Sequence, residues 1–367
     1  MNPFTTSGYI APEYFCDREK ETARIMEAIR SNRNLTLTSL RRMGKTALLM
    51  HVEHNLPKKE FEFLYLDLLP TQKSEDLLNI LGAALANVSR KQSGFIEKIL
   101  KTLAAFRPVV SYDVVTGQPS MTLTVAGNNE AYTGMKQIME LVSGIRKRVV
   151  IVLDEFQQIT NYGDNNIEPF FRSLVQQYPT FSFIFSGSNK HMLETMFTSP
   201  VRPFFGSADM MNLQAITGQE YAEFIQKHFA SARISITDEQ IEEILHWCRY
   251  HTFYVQYFCN RLFGTGKGMI TGEVINKVKI DILESFSASY LTYSKILTKS
   301  QFDLLRAIAI ENEVIQPLAG SFIEKYKLKT TSTVKTALNS LAEKEMIVNN
   351  NDIWQVYDVF LMRWLER

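Results

Sequence analysis

A polar loop near the start of the chain has the residues that a phosphate-binding turn needs. Residues 39–46 read Ser-Leu-Arg-Arg-Met-Gly-Lys-Thr and lie between an alternating, β-branched stretch and a helical one. Such loops surround an anion with backbone N–H groups and the N-terminus of the following helix, while a lysine reaches the β- and γ-phosphates. We therefore expect Lys45 to bind phosphate, Thr46 to offer its hydroxyl to Mg²⁺, and Gly44 to let the backbone approach closely.

An acidic pair later in the chain supplies the second half of the predicted site. Asp154 and Glu155 follow the apolar run 149–153, whose lack of alternation is typical of a buried strand in a parallel sheet. We expect Asp154 to hold Mg²⁺ with Thr46, and Glu155 to polarise an attacking water as the catalytic base. The Gly-Lys-Thr sequence alone could be a plain surface turn. Buried strands rarely end in paired acids for packing reasons, so the pair favours nucleotide chemistry.

The remaining loop residues depart from an ideal phosphate-binding turn. Ser39 stands where such loops begin with glycine, so the entry to the loop must differ. Arg41 and Arg42 are either phosphate contacts or solvated surface charges. Together with Met43 and Ala47, they complete the residues that we expect around the nucleotide.

Two later segments carry polar side chains that can respond to a nucleotide. Ser188 and Asn189 follow the apolar strand 181–185, and they either contact the γ-phosphate or water or cap the next helix. Arg202 is held between two prolines. It is interpreted either as an arginine finger, acting in its own or a neighbouring subunit, or as a simple surface residue.

Alternating strand and helix patterns around these residues predict an α/β fold. Helical spacing of apolar residues predicts helices at 74–88 and 131–143, and two β-like runs predict an inserted hairpin at about 107–126. The predicted strands of the main sheet are residues 35–38, 61–69, 149–153, 181–185 and 209–213.

The second half of the chain is predicted to be helical up to a short C-terminal hairpin. Helices begin with capping boxes at Thr217 and Thr237. Three helical patterns from near residue 298 onward, followed by two β-like stretches around an Asn-rich turn, predict a winged helix. We therefore divide the chain into a core (residues 1–216), a helical lid (217–283) and a winged-helix domain (284–367).

Composition excludes several classes of protein. The 367 residues carry 40 basic and 39 acidic side chains, so no global charge attracts nucleic acid or an acidic membrane. The three cysteines lack metal-ligand spacing, and their odd number argues against a disulfide framework. Without an export signal or a long apolar run, the sequence predicts a cytoplasmic protein with no membrane segment.

The motifs resemble those of the AAA+ and STAND branch of P-loop ATPases, specifically the archaeal-type ATPases. Besides the phosphate loop and the acidic pair, residues 15–19, 107–119 and 357–365 are similar to segments of this family. The resemblance implies ATP and Mg²⁺ as ligands. It also implies a P-loop sheet of the additional-strand type, with strand order 5-1-4-3-2, followed by a lid and a winged helix. It places Arg18 near the nucleotide base, although Asp17 replaces the glycine of that motif.

The same resemblance leaves the lid and the winged helix open to alternatives. His251 falls where related lids carry a Gly-x-Pro sensor, so it is a phosphate contact, a structural cap or a surface residue. The winged helix would offer residues 331–344 to a DNA groove, but its basic and acidic side chains nearly balance. The best basic patch there is Lys325, Lys327 and Lys329. DNA binding is one hypothesis, and packing against the ATPase core or an unknown protein partner is the other.

These inferences predict an ATP-binding molecular switch that hydrolyses ATP slowly and passes its nucleotide state to the lid and winged helix. Two alternatives remain. One is a DNA-binding regulator with a mainly structural nucleotide, and the other is a partner-binding scaffold with a degenerate nucleotide site. Mg-ATP binding separates the scaffold from the other two.

Overall fold

The apolar stretches pair as a parallel β-sheet in the computed structural model of the protein. The structure describes residues 1–89, 95–112, 119–266, 268–350 and 352–367. Within these ranges the strands are β1 Leu35–Thr38, β2 Phe61–Asp67, β3 Val109–Tyr112, β4 Pro119–Thr122, β5 Arg148–Asp154, β6 Ser182–Gly187, β7 Asp209–Asn212, β8 Ile347–Asn350 and β9 Ile353–Val356.

Five of these strands form the predicted sheet, in the order β2-β5-β6-β1-β7, with every neighbouring pair parallel. The predicted order, 5-1-4-3-2, numbers only the five strands of this sheet, and read from the β7 edge it has the same neighbours. The labels differ because the hairpin strands β3 and β4 intervene along the chain. The α/β class and the parallel sheet are confirmed. All positions of β1 and β6 are buried, as a strand covered on both faces requires.

The helices that surround and follow the sheet have these bounds in the described residues: α1 Glu19–Arg30, α2 Lys45–Asn55, α3 Ser74–Ser89, α4 Phe95–Thr102, α5 Asn128–Ser143, α6 Ile167–Gln177, α7 Lys190–Thr198, α8 Gly218–Ser231, α9 Asp238–Trp247, α10 Thr252–Gly264, α11 Gly272–Ile296, α12 Lys299–Glu311, α13 Gly320–Lys325, α14 Thr331–Glu343 and α15 Val359–Leu365.

Two apolar layers cover the faces of the sheet, because alternate side chains of each strand point to opposite sides. On one face, Val150 and Val152 of β5 join a cluster with residues of α1 and α2. On the other, Ile151 and Leu153 join a larger cluster with residues of α3, α5 and α6. The run of apolar residues in β5 thus serves both cores, and its strand end is fixed between them.

The hairpin is formed by β3 and β4, which pair antiparallel with Val109 opposite Thr122. Residues 113–118 of the predicted hairpin lie outside the described residues. The backbone N–H of Leu123 donates to Asn79 Oδ1 of α3 at 2.7 Å, and Leu123 is buried in the larger core. The hairpin therefore packs on the helix that follows β2.

The chain divides into two units, one of residues 8–214 and another that combines residues 1–7 with residues 215–367. The second unit is largely helical. The capping boxes predicted at Thr217 and Thr237 are both present, and a third caps α12 at Thr298. The lid and winged-helix boundaries stay a prediction, and α11 runs without a break through the predicted boundary at residue 283.

Aromatic side chains cluster around the buried Phe360 in the second unit. Phe360 of α15 lies among the rings of Trp247, Tyr254, Tyr257 and Phe286, at centroid distances of 5.5, 4.7, 5.6 and 5.7 Å. We call these five side chains the Phe360 cluster. Through it, the last helix of the chain packs against α9, α10 and α11.

Within the ranges that the structure describes, no helix is both long enough and apolar enough to cross a bilayer.

Candidate functional site

The predicted phosphate loop joins the carboxyl end of β1 to the N-terminus of α2. Gly44 has a φ of +91°, a left-handed conformation that glycine adopts without the strain of a Cβ atom. It is the residue immediately before α2, whose first N–H groups have no partners within the helix. The loop therefore presents backbone donors and the positive end of a helix dipole, which is an anion-binding arrangement.

Lys45 is buried at the first position of α2, with 6% of its surface exposed. Its Nζ donates to Ser39 Oγ at 3.2 Å, and in the described part of the chain no carboxylate forms an ion pair with it. Burial lowers the pKa of the Lys45 ammonium, although Glu155 and Asp154 partly offset that effect. A buried cation that has only a neutral hydroxyl as partner is suited to receive an anion.

Ser39 has an evident role in this arrangement. The side chain is buried, and its hydroxyl donates to the carbonyl of Leu40 at 2.7 Å while it accepts from Lys45. The residue that replaces the usual glycine thus fixes the lysine side chain at the base of the loop.

The structure brings Thr46 and Asp154 together. Thr46 Oγ1 donates to Asp154 Oδ2 at 3.0 Å, which joins two residues 108 positions apart in the sequence. Thr46 is exposed and Asp154 is buried at the end of β5. The contact unites the phosphate loop with the acidic strand end at one edge of the sheet.

Tyr65 is a site residue that sequence reasoning missed. Its hydroxyl donates to the same Asp154 oxygen, Oδ2, from the neighbouring strand β2. Burial and the Asp154 carboxylate raise the pKa of Tyr65 far above its usual value, so the hydroxyl stays a donor. Asp67 ends β2 directly opposite Asp154 in the sheet register, and burial raises the pKa of its carboxyl. The pairing of β2 with β5 was the signal that could have indicated both residues.

Glu155 follows Asp154 with a φ of +53°, a left-handed conformation that non-glycine residues seldom adopt. Its Oε2 accepts hydrogen bonds from Ser188 N at 3.1 Å, Ser188 Oγ at 2.8 Å and Gln157 Nε2 at 2.5 Å. Such backbone strain concentrates at functional sites, where the surroundings hold it in place. These hydrogen bonds fix the Glu155 carboxylate, whose neighbour in the chain, Asp154, contacts the phosphate loop.

Ser188 and Asn189 have different surroundings. Asn189 caps α7, because its Oδ1 accepts from the Met192 N–H at 3.1 Å, which fits the predicted capping role. The Ser188 hydroxyl donates to Glu155, and it also accepts a hydrogen bond from Arg41 Nε at 3.4 Å. Arg41 is thus linked to the acidic strand end through Ser188, while the exposed Arg42 takes a left-handed backbone conformation in the loop.

Other predicted site residues have their described contacts elsewhere. Arg18 is buried and forms an ion pair with Glu21 at 2.9 Å, and Arg202 forms one with Glu168 of α6. Met43 lies in the apolar core with α2, so its side chain is structural. Ala47 is half-buried in the first turn of α2. In the second unit, the buried His251 precedes α10 and its ring packs against Tyr254, 4.8 Å between centroids.

The residues present fit a nucleotide with a divalent cation. Lys45 lacks an anionic ion-pair partner among the described residues, and it follows Gly44 at the N-terminus of α2. Thr46 and Asp154 offer adjacent oxygen atoms, the ligands that Mg²⁺ prefers. A triphosphate would supply the anion that Lys45 lacks, and Thr46 and Asp154 would hold the cation.

Comparison with protein families agrees with this geometry. A family described as an ATPase domain predominantly from Archaea matches residues 15–249. A second family, described as a "Probable winged helix domain", matches residues 288–367. The first match alone covers more than half of the chain.

Solved structures show the same fold. The Walker-type ATPase paby2304 of Pyrococcus abyssi is 18% identical with a TM-score of 0.67, and all of both chains is covered. The Aeropyrum pernix ORC2 protein, solved as ADPNP–ADP complexes, is 13% identical with a TM-score of 0.59 over 100% of this chain and 96% of that one. No curated protein sequence matches the chain.

Proposed function

Because the chain belongs to the family of ATPase domains that come predominantly from Archaea, we propose that it binds Mg-ATP and hydrolyses it slowly. The observation that carries the proposal is the buried Lys45 ammonium, which has no ion-pair partner in the described residues and lies at a helix N-terminus. Keeping such a charge buried is unfavourable unless an anion compensates it.

Each site residue has a role in this proposal. Lys45 binds the β- and γ-phosphates, while the backbone of residues 39–47 and the side chains of Arg41 and Arg42 surround the phosphate chain. Thr46 and Asp154 would hold Mg²⁺, which neutralises phosphate charge when bound. Glu155 is the catalytic base that takes a proton from the attacking water.

A turnover assay tests the role of Glu155. Glu155→Gln should retain ATP affinity and lower phosphate release by about 10²–10⁴-fold, the contribution typical of a general base. Glu140→Gln, an exposed change on α5, is the matched control and should behave as wild type. Unchanged phosphate release in Glu155→Gln would contradict the assignment.

We extend the proposal to a switch, in which the nucleotide state alters residues 215–367. Support for this comes from the family match, which extends to residue 249 and therefore into the second unit. Hydrogen exchange of α8 to α10 should differ between ADP and a non-hydrolysable ATP analogue. Identical exchange in both states would leave an ATPase without a switch.

DNA binding is the second candidate function, and the exposed face of α14 favours it. Val334, Ala337, Leu338 and Leu341 of this helix are buried, which leaves Thr331, Ser332, Lys335, Thr336 and Asn339 exposed. However, Lys325 of the basic patch forms an ion pair with Glu311, which reduces the positive charge available to phosphate.

A gel shift at low salt tests this candidate. Replacing Lys327, Lys329 and Lys335 by alanine should weaken binding to all sequences and reduce its salt dependence, because phosphate contacts release counterions. Exposed Lys58 and Lys59 of the first unit provide the control substitutions. An unaltered shift, or no shift at low salt, would remove the support for DNA binding.

A further inference from the structure

Gln157 lies in a short 3-10 helix, residues 156–161, that begins directly after Glu155. Its Nε2 donates to Glu155 Oε2 at 2.5 Å, so a side chain two residues downstream returns to the carboxylate. Ser188 donates to the same oxygen through both its backbone and its hydroxyl. Three donors from two segments therefore converge on one oxygen of a carboxylate.

The two oxygens of Glu155 are consequently in different situations. Oε2 receives all three donors, whereas in the part of the chain that the structure describes no donor contacts Oε1. Hydrogen bonds to a charged acceptor are stronger than neutral ones, and together they fix the orientation of the carboxylate plane. A general base needs a lone pair available to the proton that it accepts.

Gly187, the last residue of β6, leaves room for this arrangement. A Cβ atom at position 187 would lie 2.1 Å from Gln157 Oε1 and 3.1 Å from Leu193 Cδ2. A Cβ atom and the Gln157 amide oxygen cannot lie this close together, so any residue larger than glycine at position 187 must displace the Gln157 amide. Gln157 Oε1 is itself buried without a hydrogen-bond partner in the described residues, whereas Nε2 makes its bond to Glu155. The contact with Glu155 is thus made at the cost of a buried acceptor.

From this geometry we propose that Gln157 is a positioning residue for hydrolysis, which with Ser188 anchors Oε2 of Glu155 and leaves Oε1 as the oxygen that accepts the proton of the attacking water. The proton moves from water to Oε1 as the water oxygen attacks the γ-phosphorus, and ADP leaves. The inference rests on the proposed ATPase function and on Glu155 as its base.

Steady-state kinetics of the full chain with Mg-ATP test this inference. Gln157→Met keeps the length of the side chain and removes the donor, so kcat should fall about tenfold or more, while KM and the ATP dissociation constant stay within about twofold. Gln158→Met is the matched control: the neighbouring glutamine donates instead to the Thr71 carbonyl at 2.8 Å, and its loss should leave kcat unchanged.

A double-mutant cycle separates positioning from a merely structural role. Because Gln157 acts through Glu155, adding Gln157→Met to Glu155→Gln should lower kcat no further, whereas independent damage would add. Gly187→Ala should reproduce the kcat loss of Gln157→Met. Should Gly187→Ala fail to fold, the cycle alone decides.

The outcomes are distinguishable. Three results would overturn the role of Gln157 alone. Gln157→Met would have a wild-type kcat, would lose ATP affinity by as large a factor as it loses kcat, or would lower kcat further when added to Glu155→Gln. A chain that does not hydrolyse ATP, or that hydrolyses it equally well as Glu155→Gln, would overturn the proposed function and this inference with it.

Discussion

Around Lys45 the protein buries charge, whereas around Phe360 it buries aromatic rings. The first region holds a buried ammonium and a buried carboxylate, together with left-handed backbone at Gly44, which is unstrained because glycine lacks a Cβ atom, and at Glu155, which is strained. The second region is a set of rings at centroid distances between 4.7 and 5.7 Å. Buried charges destabilise the folded state unless an opposite charge compensates them, whereas packed aromatic rings stabilise it.

The residues around Lys45 are arranged for ligand binding, whereas those around Phe360 are arranged for stability. The Lys45 region keeps features that reduce the stability of the folded chain, which is expected where a ligand completes the structure. The Phe360 cluster has no such features and holds α15 against the preceding helices. Substitutions in the two regions should therefore separate ligand binding from stability.

Phe360→Ala should destabilise the second unit by about 3–5 kcal/mol, because a fully buried ring leaves a cavity among four other rings. Denaturant unfolding measures this loss. Phe205→Ala, at a position where the ring is 52% exposed, is the control and should have little effect. If Phe360→Ala instead left stability unchanged and abolished ATP binding, the contrast between the regions would be wrong.

Lys45→Met should weaken ATP binding by about 2–5 kcal/mol, because it removes the buried cation that pairs with phosphate. The thermal midpoint of the nucleotide-free protein should stay the same or rise, since an uncompensated buried charge is removed. Lys58→Met is an exposed control for both measurements. A large drop in the nucleotide-free midpoint would show that Lys45 is chiefly structural.

Tyr65→Phe should raise the Mg²⁺ concentration needed for half-maximal turnover by about 10–100-fold, the effect typical of losing a hydrogen bond to a metal-binding carboxylate. Tyr65 donates to the Asp154 oxygen that Thr46 also contacts. Tyr178→Phe, which removes a hydroxyl from a ring stacked on Phe181, is the matched control. An unchanged Mg²⁺ requirement in Tyr65→Phe would separate Tyr65 from the metal site.

Asn189→Ala should cost about 1 kcal/mol of stability, because α7 loses its N-cap. Thr217→Ala removes a capping side chain from α8 and should cost about the same. A kcat that falls more than tenfold in Asn189→Ala, but not in Thr217→Ala, would show that Asn189 senses the nucleotide in addition to capping the helix.

Much of the fold followed from the sequence because its signals are local. The apolar run of β5 and the capping boxes at Thr217 and Thr237 are encoded within a few residues, and the structure confirms each of them. The contact of Thr46 with Asp154 was also predictable, since carboxyl ends of parallel strands meet at one edge of the sheet.

The contacts that sequence reasoning missed depend on side-chain direction and strand neighbours. Tyr65 contacts Asp154 across the β2–β5 strand pair, and Gln157 contacts Glu155 from the short helix that follows the left-handed Glu155. The ion pair of Arg202 with Glu168 of α6 likewise depends on how a proline-bounded loop folds back. None of these relations is visible as a periodic pattern.

Isothermal titration of the full chain with Mg-ATP tests the central claim most directly. We expect saturable binding of one nucleotide per chain, strongly weakened in Lys45→Met and preserved in Glu155→Gln. Absence of binding by the wild-type chain would contradict the account and favour a partner-binding scaffold with a degenerate site.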